Sequence, residues 1–298
     1  MLFIYRPLPN RIIRNLIRPF ASILPEKFWI PVFATFKVSI ESGNSVWFTT
    51  NPTSYGGRLL FYGGERYFEW KMLRIYKELV QDAEVFFDIG ANLGFYSLVG
   101  TAMQPELKVY AFEASPGAAK YLKKNVELNH FTNLEVVDKA VSNDNGKIRF
   151  YSILDKKYIG IEDHLHGDGT INPDFARKSE VKEVEVPTIT LDSFVTSHHL
   201  TRLDLMKVDA EASEDKVFAG GMETLRRFRP LIFCEIIPGK IEDKLLQQFS
   251  TLQYKYFRIL DQGIVEVPDF RSDNLKYIDY LLVPAEKTDR VQRFLIPA

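Results

Sequence analysis

The segment from Val85 to Ser97 combines residue types that can bind a small ligand. Its first five residues predict a buried strand with the acid Asp88 near its end, and a glycine-containing turn follows before a helix begins. Glycine lets the backbone approach a ligand without interference from a Cβ atom. In an open α/β sheet, ligands bind outside the carboxyl ends of the strands, where such turns lie. The predicted ligand contacts in this segment are Asp88, Gly90, Asn92, Gly94, Phe95 and Tyr96.

The spacing of the glycines indicates what kind of nucleotide fits. A dinucleotide motif that starts at Gly90 would need glycine at the positions of Asn92 and Phe95, so close packing on a pyrophosphate is disfavoured. An NAD-dependent oxidoreductase is therefore the weaker alternative. The turn favours a nucleoside without phosphates, whose ammonium group Asp88 would bind by a charge-assisted hydrogen bond.

A second acid, Glu113, ends the next apolar run, 19 residues beyond Gly94. An acidic residue at this place in a nucleotide-binding βαβ unit accepts hydrogen bonds from the ribose hydroxyls. The two signals together predict a nucleoside site more strongly than either does alone.

A third group of acids follows the apolar strand that ends near Val208. Asp209 emerges at the carboxyl end of that strand, and Glu211 comes two residues later. Either can act as a general base, or the group can hold a hard divalent cation. Glu214 has a simpler explanation, because an acid in the first turn of a helix is favourable for the helix dipole alone. His164, in a polar loop, is a further candidate base.

Strands and helices alternate from Val85 onward, and this predicts a parallel sheet covered on both faces. The predicted fold is a doubly wound α/β domain over residues 65–298, with an insertion at 147–191. The predicted strands are 85–89, 107–113, 133–137, 204–209, 231–237, 255–260 and 277–283, and the predicted helices are 95–103, 116–129, 213–227 and 240–250.

Residues 1–64 form a separate N-terminal extension. Alternating segments on either side of Glu41–Asn44 predict a β-hairpin, and the periodicity of residues 65–80 predicts a helix that leads into the sheet domain. Asn10–Phe20 predicts a short basic amphipathic helix. It either lies on an anionic membrane or packs on the domain with its arginines in water, and packing is the simpler interpretation.

Composition and charge narrow the range of partners and locations that we expect for the chain. The 298 residues carry a net charge of −1, which gives no overall basic field and argues against a nucleic-acid partner. No apolar stretch reaches the ~20 residues of a spanning helix, and the N-terminus fits a signal peptide poorly. The single cysteine, Cys234, allows no intrachain disulfide, so we expect a reducing, cytoplasmic location, with a peripheral membrane contact as an option.

An ordered series of motifs resembles the FkbM family of S-adenosylmethionine-dependent methyltransferases. The resemblance covers roughly residues 65–284 and implies a Rossmann-like, seven-stranded methyltransferase sheet with its last strand antiparallel. It also implies S-adenosylmethionine as cofactor and O-methylation of a saccharide, glycolipid or polyketide-type acceptor. The matching strings are Phe87–Tyr96, Ala111–Pro116, Leu122–Asn129, Lys139–Ser142, Thr190–Ser193, Lys207–Glu214 and Arg229–Ile236.

The resemblance also implies contacts that the residues alone do not. Ala114 and Ser115 belong to the ribose motif, and Asp138 and Ala140 fall where similar methyltransferases contact adenine. Glu69 resembles a family glutamate that faces the cofactor. One departure stands out, since Ala212 replaces the glycine of the usual Asp-Val-Glu-Gly-x-Glu motif. That departure keeps open a second alternative, a catalytically degenerate methyltransferase-fold module that associates with a membrane or an assembly. Metal dependence and oligomeric state are left open.

Overall fold

The structure, a computed structural model, describes residues 7–40, 43–64, 70–154, 158, 161, 163–165, 169–176, 181–271 and 276–297. Elements are numbered in chain order. The strands are β1 (Ala34–Ser39), β2 (Ser45–Thr50), β3 (Val85–Ile89), β4 (Lys108–Phe112), β5 (Leu134–Val137), β6 (Ala140–Val141), β7 (Gly146–Ile153), β8 (Val181–Ile189), β9 (Leu205–Val208), β10 (Leu231–Glu235), β11 (Tyr254–Ile259), β12 (Ile264–Val267) and β13 (Asp279–Pro284). The α-helices are α1 (Pro7–Ile17), α2 (Tyr55–Gly63), α3 (Trp70–Leu79), α4 (Phe95–Met103), α5 (Pro116–Asn129), α6 (Pro173–Ala176), α7 (Leu191–Ser197), α8 (Glu214–Ala219), α9 (Met222–Phe228) and α10 (Glu242–Phe249).

A mixed sheet of eight strands forms the centre, in the order β12-β11-β13-β10-β9-β3-β4-β5. The five strands β10, β9, β3, β4 and β5 run parallel, and β13 lies antiparallel between β10 and β11. All seven predicted strands are present, which confirms the methyltransferase-like α/β fold. The eighth, β12, pairs antiparallel with β11 and was not predicted, because its four residues are too short to give a clear alternation.

Successive residues of the central strands enter two different cores. Phe86 packs into the core under α3, α4 and α5, and Phe87 packs into the core under α7 to α10. Side chains alternate across a strand, so a strand covered on both faces must be apolar at nearly every position. This explains the unbroken apolar runs in the sequence.

The predicted helix 213–227 is two helices, α8 and α9, separated by Gly220 and Gly221. A Cβ atom on Gly220 would lie 2.1 Å from the carbonyl oxygen of Ser142, so the break lets the backbone approach the loop after β6. The insertion supplies most of a second sheet, in the order β6-β8-β7, and β6 joins this sheet from the segment before the insertion. Thr170 bridges to Tyr151 of β7 and brings the following loop back over the domain.

The N-terminal extension packs on the domain through the predicted hairpin, β1 and β2. The backbone amide of Thr49 donates to Asn125 Oδ1 of α5, and the amide of Trp47 donates to Asn129 Oδ1, both at 2.7 Å. Phe48 contacts Phe95 edge-on, with 6.2 Å between ring centroids. The extension therefore covers the start of α4, beside the predicted ligand turn.

The N-terminal helix is present as α1 and a 3-10 turn at Arg18–Phe20. Its side-chain hydrogen bonds are to Pro31 and Phe33 of the extension itself, and the expectation that its arginines lie in water fails for Arg14. That side chain is buried and donates to the carbonyl oxygen of Phe33. Within the described ranges, no helix has both the length and the apolar character needed to cross a bilayer.

Candidate functional site

A cavity of about 490 Å³ lies at the carboxyl ends of β3, β4 and β9. Residues from α2, from the loop after β5 and from the insertion close it on the remaining sides. Eight of the predicted site residues line it, namely Gly90, Asn92, Glu113, Ala114, Ser115, Ala140, Asp209 and Glu211. The sheet edge therefore brings together groups that are far apart in the sequence.

The turn after β3 has the backbone geometry that glycine allows. Gly90 has a φ of 73°, and a Cβ atom there would lie 1.8 Å from the carbonyl oxygen of Asp209. Asn92 also has a positive φ, 51°, a conformation that asparagine tolerates better than most residues. The close approach of Gly90 to Asp209 places the first turn directly against the third acidic group.

Glu113 anchors this turn to the end of β4. Its Oε2 accepts a hydrogen bond from the amide of Asn92, and its Oε1 accepts one from the amide of Ser115, both at 2.7 Å. Burial raises the pKa of Glu113 to about 7, although these two hydrogen bonds oppose the rise. Each carboxylate oxygen keeps a lone pair for a further donor.

The third acidic group contains a lysine that sequence reasoning left without a role. Lys207 Nζ donates to Asp209 Oδ2 at 2.9 Å, and Glu235 at the end of β10 completes the group. Burial opposes the ionisation of Asp209, but the Lys207 ammonium and the hydrogen bonds from Lys207 and Glu235 lower its pKa. The negative charge of Asp209, followed by burial, raises the pKa of Glu235 well above its usual range. Asp209 is therefore ionised, and Glu235 holds the proton between them.

A metal ion could use the same acids. One carboxylate oxygen each from Asp209, Glu211 and Glu235 lies within 4.8 Å of the others, and hard divalent cations prefer such ligands. Asp209 is already engaged by Lys207, and Glu235 by its proton. The three carboxylates thus offer ligand atoms for a metal ion. The Lys207 ammonium already neutralises part of their negative charge.

The loop after β9 is strained where the family motif has glycine. Glu211 and Ala212 have φ values of 51° and 63°, in the left-handed region that costs a non-glycine residue about 1 kcal/mol or more. Two side chains of the insertion hold this loop. Thr170 Oγ1 donates to the Glu211 carbonyl at 2.7 Å, and Asn172 Nδ2 donates to the Ala212 carbonyl at 2.9 Å. The turn of the usual motif therefore forms without its glycine.

Glu214 lies beneath this loop and serves it structurally. It is buried, its Oε1 accepts a 2.8 Å hydrogen bond from the amide of Ala210, and burial raises its pKa to about 8. The hydrogen bond from Ala210 gives Glu214 a structural role in addition to its favourable interaction with the helix dipole.

Several predicted residues lie outside the lining of the main cavity. Asp88 is buried and accepts hydrogen bonds from the Ser97 hydroxyl at 2.6 Å and from the Ser97 amide at 3.2 Å. Burial raises the pKa of Asp88, although the Lys207 charge opposes the rise. Phe95 and Tyr96 line a smaller cavity of about 70 Å³ that Gly90, Asn92 and Asp209 also border.

Three further candidates are also separated from the cavity. Asp138 forms an ion pair with Lys123 and borders a different surface depression. His164 lies in a loop that packs on the N-terminal part of α5, and its neighbour Leu165 reaches the cavity. Gly94 caps α4 and faces Leu122. Glu69 lies outside the described residues.

Lys207 and Tyr55 are among the site residues that sequence reasoning missed. Lys207 is a buried charge in the otherwise apolar strand β9, and a charged residue in a central strand was the signal that could have identified it. Tyr55, at the start of α2, lines the cavity from the extension. Nothing local in its sequence indicates that contact.

The family model described as the methyltransferase FkbM domain matches residues 88–266, which is more than half of the chain and contains the turn, Glu113, Asp209 and Glu235. The chain belongs to the FkbM methyltransferase family. This membership confirms the resemblance drawn from the ordered motifs, and it removes the oxidoreductase alternative.

Two curated relatives are similar to about half of this chain. The 2-O-methyltransferase NoeI of Sinorhizobium fredii is 26% identical over 167 residues, which cover 53% of this chain and 67% of that protein. The 31-O-demethyl-FK506 methyltransferase FkbM of Streptomyces tacrolimicus is 24% identical over 161 residues, which cover 47% of this chain and 60% of that protein. The similarity thus leaves a third or more of each relative unmatched.

Solved structures give a more distant likeness. A methyltransferase FkbM from Methylobacillus flagellatus has a TM-score of 0.43 and 12% identity, with 68% of this chain and 44% of that chain covered. A putative methyltransferase from Streptococcus mutans in complex with SAH has a TM-score of 0.41 and 9% identity, with 72% and 97% covered.

Proposed function

We propose that this FkbM-family chain transfers a methyl group from S-adenosylmethionine to a hydroxyl oxygen of a saccharide, glycolipid or related natural product. The observation that carries the proposal is the cavity at the carboxyl ends of the parallel strands, with Glu113 on one side and the ionised Asp209 on the other. The relatives' names support the choice of oxygen, because one specifies 2-O-methylation and the other a 31-O-demethyl acceptor.

The lining residues fit an adenosyl cofactor. Gly90 lets the turn pack directly against the Asp209 carbonyl, and Glu113 offers lone pairs to paired hydroxyls such as those of a ribose. Asn92 supplies a buried Oδ1 atom that has no hydrogen-bond partner among the described residues, although it borders the cavity. A hydrogen-bond donor on a bound ligand would pair this atom, and leaving it unpaired costs about 1–3 kcal/mol.

Glu113, Ser115 and Ala140 would hold the nucleoside, and the acidic group near Asp209 would face the reacting end. When bound, S-adenosylmethionine supplies an activated methyl group, so the protein has mainly to align the acceptor and remove its proton. Asp209 is the ionised carboxylate in this part of the cavity, and we assign it the acceptance of the hydroxyl proton. Glu211, which lines the same cavity, is the second candidate for this role.

Asp209 is a weak base, and the chemistry tolerates this. A hydroxyl becomes acidic only as its oxygen bonds to carbon, so a carboxylate with a low pKa can take the proton late in the reaction. Lys207 keeps Asp209 ionised and positioned, and the protonated Glu235 directs a hydrogen bond at it. The arrangement therefore favours the charged form of the acceptor.

Two measurements test the proposal. Isothermal titration with S-adenosylhomocysteine should show binding by the folded chain, and its absence would overturn the cofactor assignment. Incubation with methyl-labelled S-adenosylmethionine and extracted glycans and lipids should transfer label to an acceptor that gains one methyl group by mass spectrometry. Cofactor binding together with no labelled product in any fraction would instead favour the catalytically degenerate module.

A further inference from the structure

Helix α1 exposes an apolar stripe and buries polar side chains, the reverse of what a helix on a soluble domain usually shows. Leu8, Ile12 and Leu16 recur at four-residue spacing and are 70%, 56% and 67% exposed. On roughly the opposite side of the helix, Asn10 and Arg14 are 0% and 9% exposed. The stripe is thus turned away from the rest of the described chain.

Directional hydrogen bonds fix this orientation. Asn10 Nδ2 donates to the Pro31 carbonyl at 2.5 Å, and Asn10 Oδ1 accepts from the amide of Phe33 at 3.1 Å. Arg14 donates to the carbonyl oxygen of Phe33. Rotation of the helix to bury its apolar stripe would break these bonds and leave buried polar groups unpaired, which costs about 1–3 kcal/mol for each group.

The stripe is followed along the chain by further exposed apolar side chains, and we call the whole set the N-terminal apolar patch. Nine large hydrophobic side chains are exposed among the described residues, and six of them lie in this short part of the chain. Such a concentration marks an interaction surface, whereas single exposed hydrophobic side chains do not. The patch consists of Leu8, Ile12, Leu16, Phe20, Ile23 and Phe28.

The charge beside the patch indicates what covers it. The segment that carries the patch, residues 8–28, contains four basic residues and a single acid, Glu26, although the whole chain has a net charge of −1. Arg11 and Arg18 are exposed next to the apolar stripe, and Lys27 is exposed beside Phe28. Apolar side chains flanked by arginine and lysine match an interface whose headgroups are anionic and whose interior is hydrocarbon.

We propose that the N-terminal apolar patch docks this protein on the surface of a bilayer that contains anionic phospholipids. Leu8, Ile12 and Leu16 enter the boundary between headgroups and acyl chains, and Arg11 and Lys27 contact the phosphates. The helix lies in the plane of the interface and does not cross the bilayer, because eleven residues are too short for that.

The patch ends beside the rim of the main cavity. Phe28 shares a 3-10 turn with Glu26, whose Oε2 accepts a 3.3 Å hydrogen bond from the hydroxyl of Tyr55, and Tyr55 lines the cavity. Docking therefore brings the cavity rim to the lipid surface. This consequence rests on the proposed function, and it selects an amphiphilic acceptor, such as a glycolipid, among the acceptor classes.

Vesicle co-sedimentation of the full chain tests the docking. We expect binding to vesicles of phosphatidylcholine with phosphatidylglycerol, weaker binding to phosphatidylcholine alone, and a decline as salt rises. Ile12→Ser combined with Leu16→Ser should weaken binding by about tenfold or more, because two apolar side chains no longer enter the bilayer. Arg11→Glu combined with Lys27→Glu should remove the preference for phosphatidylglycerol.

Leu295→Ser is the matched control. Leu295 is an exposed leucine beside β12, the sheet edge farthest from β5, and its loss should leave vesicle binding unchanged. Absence of binding to either vesicle, or equal loss in this control, would overturn the proposal. Self-association in the ultracentrifuge that disappears with Ile12→Ser and Leu16→Ser, without vesicle binding, would show that a second copy covers the patch. Titration of each variant with S-adenosylhomocysteine separates failure of docking from failure of the proposed function.

Discussion

Glu113 Oε2 accepts a 2.7 Å hydrogen bond from the backbone amide of Asn92, so the acid that ends β4 holds the turn that follows β3. The same carboxylate accepts the amide of Ser115 through its other oxygen. Because both donors are backbone amides, these two contacts hold the cavity wall in place and fix the Glu113 carboxylate at its surface. Glu113 then needs no rearrangement to accept ligand hydroxyls.

Glu113→Gln should weaken the binding of S-adenosylhomocysteine by about 1.5–3 kcal/mol, or roughly ten- to a hundredfold, the usual cost of a lost charged hydrogen bond. The glutamine side chain would also place its NH2 group opposite the backbone amide of either Asn92 or Ser115, so that two donors face each other. Isothermal titration measures the change. Asp138→Asn is the informative comparison, since the structure places Asp138 in an ion pair with Lys123 and away from the cavity lining. Equal losses in the two variants would mean that the cavity is not the cofactor site.

The pH dependence of cofactor binding should follow the ionisation of Glu113. Burial raises its pKa to about 7, so the carboxylate is ionised above that pH and protonated below it. If only the ionised form accepts the ligand hydroxyls, affinity for S-adenosylhomocysteine falls by up to about tenfold between pH 8 and pH 6. The decline should be absent in Glu113→Gln. An equally steep decline in that variant would assign the titration to another group.

Asp209 and Glu235 should differ sharply in their effect on methyl transfer. Asp209→Asn removes the ionised acceptor, and we expect kcat to fall by about a hundredfold or more, the usual contribution of a positioned base. Glu235→Gln preserves a neutral donor next to Asp209, as the protonated acid does now, and should change kcat by only a few fold. Labelled methyl transfer measures both rates. A large loss only in Glu211→Gln would move the proton acceptor to Glu211.

Ala212→Gly should be nearly neutral for stability. Glycine removes the backbone strain of an alanine in the left-handed region, which stabilises the fold by about 1–2 kcal/mol. Against this, the variant loses a buried methyl group, and the greater entropy of its unfolded chain costs about 0.4–1 kcal/mol. Ala111→Gly, at a buried alanine within β4, has no such strain to relieve and should cost about 1–2 kcal/mol. Urea denaturation compares the two free energies of unfolding. Equal costs would show that the turn at Ala212 is not strained.

Local patterns predicted much of the fold because their causes are local. Helix α5 was predicted at its observed bounds, 116–129, since proline at the first turn and the apolar spacing act within a few residues. The helix predicted over 213–227 divides at Gly220 because of the Ser142 carbonyl, which approaches from a distant loop. Strand β12 was missed because its four residues give no clear alternation, and pairing with β11 stabilises it as a strand.

The sequence by itself determined the order of the strands along the chain, the glycine turn at Gly90 and the acid at Glu113. It also determined the family to which these motifs belong. Glycine positions indicate where the backbone needs a positive φ or a close approach, and apolar runs indicate which segments are buried. Both are properties of a short segment and can be recognised without knowing its partners. Only the tertiary structure decided that Asp88 turns to Ser97, that Lys207 joins Asp209, and that α1 shows its apolar side to the surroundings. An amphipathic pattern defines two faces of a helix, but contacts with distant residues such as Phe33 decide which face is buried.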